Sequence, residues 1–254
     1  MDLTTSDGVH VYYEDVGTGP AVLLVHGAAS SGRAFDDLTS YLSDQFRVIR
    51  IDLRGLGRSE RVTSVSATAW CDDVVALLDH LGLPTAHFAG CSLGARIVGR
   101  IAFSHRDRVT SLTVDAPLLA VEKSANRQLN TRFSDFDHAS EEDIARWQRF
   151  HGDDWRDAVS FYRRARSRPD LQEYLTLRPH LSLLDLPTLI TRGDVDDDIH
   201  PLAHAIEWHR AHPNSWLWVA PSTRFSLMQH RPKEFSSIFT DFVGECATGA
   251  HEVR

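Results

Sequence analysis

Gly90-Cys91-Ser92-Leu93-Gly94 lies between the short apolar run Ala86 to Ala89 and a segment, Gly90 to Phe103, that turns sharply into a helical pattern. A G-x-S-x-G pattern carries weight only where a strand enters and a helix leaves, and this one has both. The turn forces the serine into a strained backbone conformation with its hydroxyl exposed, and small residues on either side keep strand and helix from colliding. Ser92 is therefore the candidate nucleophile. A cysteine inside so tight a turn packs into it, so Cys91 is read as packing and not as a nucleophile.

Outward from this turn, short β-branched or aliphatic runs alternate with helical patterns, the signature of a mainly parallel sheet with helices on both faces. His10 to Asp15 reads as an early strand, antiparallel at the edge. Ala21 to Val25 and Arg47 to Asp52 are apolar runs entering the loops His26-Gly27 and Leu53-Arg54-Gly55. Ser66 to Leu81 has apolar residues at helical spacing, with Ser66 as N-cap and Gly82 and Pro84 as stops. Val109 to Val114 is a further strand. From Leu118 to His180 the pattern becomes helical and charge-rich, with arginines at 163, 164, 166 and 168, and reads as an inserted helical lid. Leu186 to Thr191 and Trp216 to Val219 restore the strands, and Pro232 to Val243 closes as an amphipathic helix. The expected domains are a core of 1–117 with 181–254 and a lid of 118–180.

His26-Gly27-Ala28-Ala29 follows an apolar strand one βαβ unit before the serine. There the amides of Ala28 and Leu93 would form an oxyanion hole, two fixed donors for charge developing on a carbonyl oxygen.

With His26-Gly27, Asp52-Leu-Arg-Gly-Leu-Gly-Arg-Ser59, the turn at Ser92 and the insertion after Asp115 in this order, the chain resembles the α/β-hydrolase superfamily over nearly its whole length. It looks most like the small enol-lactonase, esterase and haloperoxidase-like members with a lid between the sixth and seventh strands. The resemblance implies an α/β-hydrolase fold and a serine, histidine and acid site, but no substrate. It places the acid after the strand that follows the lid, at Asp196, with Asp197 and Asp198 crowding the same loop and Asp115 as the alternative position.

The family histidine normally follows the last strand, where this chain reads Ser222-Thr223-Arg224-Phe225-Ser226-Leu227-Met228-Gln229-His230. Phe225 or Arg224 falls at the histidine position, and neither can take a proton from a serine. His230, about a turn into the next helix, is the remaining candidate base and would need a rearranged loop. His200, His204, His209 and His212 read as a histidine-rich outer helix rather than metal ligands. Arg224 and Phe225 are expected to line the substrate pocket, and the arginines near 166 either receive an anionic substrate or form a solvated face.

Composition limits the remaining classes. The 254 residues are 42% hydrophobic and 24% charged with a net charge of −8, ordinary for one large globular domain and without a basic surplus for nucleic acid. The polar N-terminus is unlike a signal peptide, and no run is long enough to span a bilayer, so a cytoplasmic location is expected without a membrane partner. Three cysteines without C-x-x-C spacing fit a reducing compartment with free thiols. No metal or organic cofactor is implied, and the partner is a small-molecule substrate. The expected function is hydrolysis of an ester, lactone or thioester through Ser92. The alternatives are a non-hydrolytic cyclase, lyase or isomerase lacking the family histidine, or a ligand-binding pseudoenzyme, and turnover separates them.

Overall fold

The computed structural model describes residues 1–195 and 197–248. Its eight strands are β1 (Asp2–Thr4), β2 (His10–Val16), β3 (Ala21–Val25), β4 (Arg47–Ile51), β5 (Ala86–Cys91), β6 (Val109–Asp115), β7 (Thr188–Gly193) and β8 (Ser215–Ala220), in one sheet of order β1-β2-β4-β3-β5-β6-β7-β8. β2 pairs antiparallel with both β1 and β4, and the remaining pairings, from β4-β3 across to β7-β8, are parallel. This is the α/β-hydrolase fold expected from the sequence, with β1 as one edge and β8 as the other.

Ten α-helices accompany the sheet among the described residues: α1 (Asp36–Leu42), α2 (Ala69–His80), α3 (Leu93–Ser104), α4 (Lys123–Ser134), α5 (Glu141–His151), α6 (Trp155–Arg166), α7 (Pro169–Tyr174), α8 (Leu202–Ala211), α9 (Leu227–His230) and α10 (Pro232–Thr248). The unbroken apolar run of β3 follows from burial on both faces. Leu23 and Val25 join a core with Trp70 and Leu77 of α2, Ile97 and Ile101 of α3 and Trp208 of α8. Val22 and Leu24 join a second core with Leu38 of α1 and Phe235, Phe239 and Phe242 of α10. Alternate residues of one strand thus bind opposite helix layers. α2 begins two residues later than its sequence pattern suggests, with Thr68 rather than Ser66 as N-cap.

The parallel register brings the site together. Val25 pairs with Gly90, Gly90 with Val114, and Val114 with Ile190, so the loops after β3, β5, β6 and β7 leave the sheet at one edge. The chain leaves β3 toward β4 on one side and leaves its neighbour β5 toward β6 on the other, a topological switch where open α/β sheets bind ligands. Helices α4 to α7 occupy the interval between β6 and β7, the place where the sequence suggests an insertion. No helix among the described residues is long and apolar enough to cross a membrane.

Candidate active site

Ser92 sits between β5 and α3 with φ 55° and ψ −110°, a left-handed conformation strained for a residue with a Cβ. The flanking glycines are there for space: a Cβ on Gly90 would strike the backbone of Gly94, and one on Gly94 would strike the carbonyls of Val25 and His26. The Ser92 N–H donates to Asp115 O at 3.0 Å, which ties the turn to β6. Leu93 opens α3, so its N–H has no intrahelical acceptor. It lines one cavity with Gly27, Ala28 and Ser92. His26 holds the facing turn: its ring is fully buried, with Nδ1 2.8 Å from Gly27 O and Nε2 accepting the Leu53 N–H at 3.0 Å. Burial holds this imidazole below its usual pKa, and the acceptor role of Nε2 fixes the neutral tautomer with the proton on Nδ1.

The partner of Ser92 is not the residue expected from the sequence. Ser92 Oγ lies 2.8 Å from Nε2 of His200, a buried histidine in the loop between β7 and α8. His200 precedes α8 and is not on the outer helix, whereas His204 is inside α8 with Nε2 3.8 Å from Glu122. The two are therefore not a ligand pair, and no group of three metal-ligating side chains occurs among the described residues.

The His200 loop is held from within. Arg192 of β7, fully buried, donates from Nε to His200 O at 3.0 Å and from its terminal nitrogens to the carbonyls of Gly193, Val195 (3.1 Å) and His200. Asp197 accepts the N–H of Ile199 at 2.8 Å and of His200 at 2.6 Å, and its Oδ1 stands 3.5 Å from His200 Nδ1. Burial pushes the Asp197 carboxyl up, but His200 and Arg192 outweigh it and bring it down to about 2. Asp196, the acid chosen from the sequence, lies outside the described residues. Asp115, the alternative acid, is fully buried and accepts from Thr191 Oγ1 (2.7 Å), Ser226 Oγ (2.5 Å) and the N–H groups of Leu227 (3.0 Å) and Met228 (3.4 Å). It anchors the start of α9.

Phe225, where the family histidine would fall, lies flat on His200, with ring centroids 4.6 Å apart and planes 11° from parallel. Phe225 thus occupies the place where the resemblance puts a histidine, and the imidazole in contact with Ser92 comes from the loop between β7 and α8. His230 meets the edge of Phe225 at 5.6 Å and is half-buried in the same cavity. Desolvation lowers its pKa, and the nearby cations Arg224 and Arg146 lower it further. It lines the cavity, and the histidine in hydrogen-bond contact with Ser92 is His200 rather than the expected His230. The signal was present in Asp194-Val-Asp-Asp-Asp-Ile-His200, a histidine at the end of a loop on the C-terminal edge of the sheet with an aspartate three residues earlier. Anchoring on the usual chain order hides it.

The cavity, about 510 Å³, is walled by α4 to α7 and reaches Ser92, His200, Arg224 and Phe225. Cys91 is buried beneath it, and burial pushes its thiol well above the usual value.

A sequence model described as alpha/beta hydrolase fold matches residues 20–154. A zearalenone hydrolase of Bionectria ochroleuca is 35% identical over 113 residues, 42% of this chain and 43% of the relative. A 2-(acetamidomethylene)succinate hydrolase of Mesorhizobium japonicum is 37% identical over 97 residues, 38% of this chain and 35% of the relative. The chain thus matches less than half the length of these two relatives. In three dimensions, an esterase of Thermogutta terrifontis superposes with a TM-score of 0.74 at 23% identity, covering 97% of this chain and 98% of that one, a likeness of fold alone. With the family match spanning more than half of the chain, and a mainly parallel eight-stranded sheet in agreement with it, this protein belongs to the α/β-hydrolase family.

Proposed function

We propose that the chain is a serine hydrolase of a small ester, lactone or thioester, with Ser92 as nucleophile, His200 as general base and acid, and Asp197 orienting His200. The observation that carries this reading is the 2.8 Å contact between Ser92 Oγ and His200 Nε2, within reach for proton transfer. With the His200 proton on Nδ1 toward Asp197, Nε2 is left to accept from the serine. Ser92 Oγ attacks the carbonyl carbon as its proton passes to Nε2, and the tetrahedral oxyanion is held by the N–H groups of Ala28 and Leu93. Collapse expels the alcohol or thiol, which takes the proton from His200. Water then attacks the acyl-serine with His200 again as base, and the free acid leaves with Ser92 restored. Helices α4 to α7 act as a lid that limits solvent at the serine.

The cyclase, lyase, isomerase and binding-only alternatives were motivated by the absence of a base after β8. The 2.8 Å contact between Ser92 and His200 supports the hydrolytic reading over these alternatives. The test is labelling with a fluorophosphonate probe, which reacts readily only with an activated serine. Labelling is expected in the wild-type and His230→Ala chains and absent in Ser92→Ala and His200→Ala. A folded wild-type chain that does not label overturns the reading.

A further inference from the structure

The arginines around position 166 separate once folded. Arg163 and Arg164 face solvent, whereas Arg166 is 4% exposed and lines the cavity that contains Ser92. A second buried guanidinium, Arg96, 2% exposed, lines the same cavity from the first turn of α3, where its N–H donates to Ser92 O. Each is held by neutral groups. Arg96 donates to Leu175 O (2.9 Å), Gln172 Oε1 (3.0 Å) and Gln172 O (3.1 Å). Arg166 donates to the side-chain oxygens of Asn130 and Asn126, the latter at 2.7 Å, and Gln172 Nε2 donates back to Arg166 O at 2.8 Å.

Elsewhere on this protein arginines meet carboxylates, as Arg54 meets Asp73 and Asp7, and Arg58 meets Asp52 and Glu14. Among the described residues neither Arg96 nor Arg166 has an ion pair, although Glu142 and Asp197 line the same cavity. Burial, together with the charge of Arg166, lowers the Arg96 pKa to about 10, with Tyr162 opposing. Two buried like charges without a counter-charge are costly unless an anion completes them. Amides orient the guanidinium groups but leave their charge unneutralised, and each arginine carries five N–H donors, more than these amide oxygens take up.

We infer that Arg96 and Arg166 form a carboxylate-binding subsite, so that the substrate is an ester, lactone or thioester bearing a free carboxylate a few bonds from the carbonyl attacked by Ser92. This rests on the hydrolase reading for the chemistry, but not for the binding. Arg96 follows Ser92 by four residues, about 6 Å of helical rise, so a substrate with a short acyl or alkoxy chain is the size expected to reach both groups.

The test compares kcat/KM for two matched pairs, monomethyl glutarate against methyl pentanoate and 4-acetoxybutanoate against butyl acetate, each differing only by a carboxylate in place of a methyl group. At least one charged ester is expected to be preferred, with the preference falling about tenfold to a hundredfold in Arg166→Gln or Arg96→Gln and less in Arg166→Lys. No preference in either pair, or a preference that survives both glutamine variants, overturns the subsite. Calorimetric titration of glutarate separates this failure from failure of the hydrolase reading. Binding to the wild-type chain that weakens about tenfold or more in folded Arg166→Gln supports the subsite even if no ester is turned over. No binding to the wild-type chain, or equal binding to the folded variant, overturns it. Circular dichroism establishes folding, and Arg166→Gln serves if Arg96→Gln does not fold.

Discussion

His200→Ala and His230→Ala are expected to have opposite effects although both histidines line one cavity. In His200→Ala the Ser92 hydroxyl loses its 2.8 Å acceptor and must lose its proton unaided. The loss in kcat/KM of a reporter ester is expected at about 10⁴–10⁶-fold, equivalent to about 5–8 kcal/mol of transition-state stabilisation. The fold is expected to survive. Arg192 grips the main-chain oxygen of residue 200, which alanine retains, and the chief structural loss is the stack on Phe225, worth about 1 kcal/mol and a Tm fall of about 2–4 °C. His230 meets the edge of the Phe225 ring and makes no hydrogen bond to Ser92 among the described residues, so His230→Ala is expected to change kcat/KM by less than about threefold. In Ser92→Ala/His200→Ala the two losses are not additive, since nucleophile and base act as a unit. The assay is steady-state ester hydrolysis with thermal melts on the same preparations. Activity above about a tenth of wild type in folded His200→Ala, or a larger loss in His230→Ala, refutes the assignment.

Arg192→Met leaves the carbonyls of Gly193, Val195 and His200 without a donor, and it is expected to cost about 3–5 kcal/mol by urea denaturation and to lower kcat through the displaced loop. A change below about 1 kcal/mol contradicts the clamp. Asp197→Asn is expected to lower kcat about tenfold to a hundredfold, less than for a fully buried acid, because the side chain is 37% exposed and Oδ1 is 3.5 Å from the ring. The folded carboxyl is depressed to about 2, so its stabilisation is present above the unfolded value near 3.9 and is lost as pH falls through about 2. Wild type is therefore expected to exceed Asp197→Asn by about 1 kcal/mol at neutral pH after solvent screening, with the difference vanishing near pH 2. Equal urea midpoints at pH 7 count against this. Gly94→Ala places a methyl group on the Val25 and His26 carbonyls and is expected to abolish fluorophosphonate labelling and destabilise by about 3 kcal/mol.

The chain order of apolar runs and turns determined the sheet, the strand-to-helix turn at Ser92 and the helical insertion, because period, β-branching and the steric need for Gly90 and Gly94 act over a few residues. Those signals are local and survive in a one-dimensional reading. Which histidine meets Ser92 was decided by contact across 108 positions, through the path of a loop clamped by the buried Arg192. Spacing in the sequence does not encode that path. The same holds for Arg96 and Arg166. One looks like any arginine on a helix and the other like one of a basic cluster, and only the packing of distant segments buries both without an ion pair among the described residues. Local sterics and periodicity are written residue by residue, whereas burial and through-space pairing exist only once distant segments share a volume.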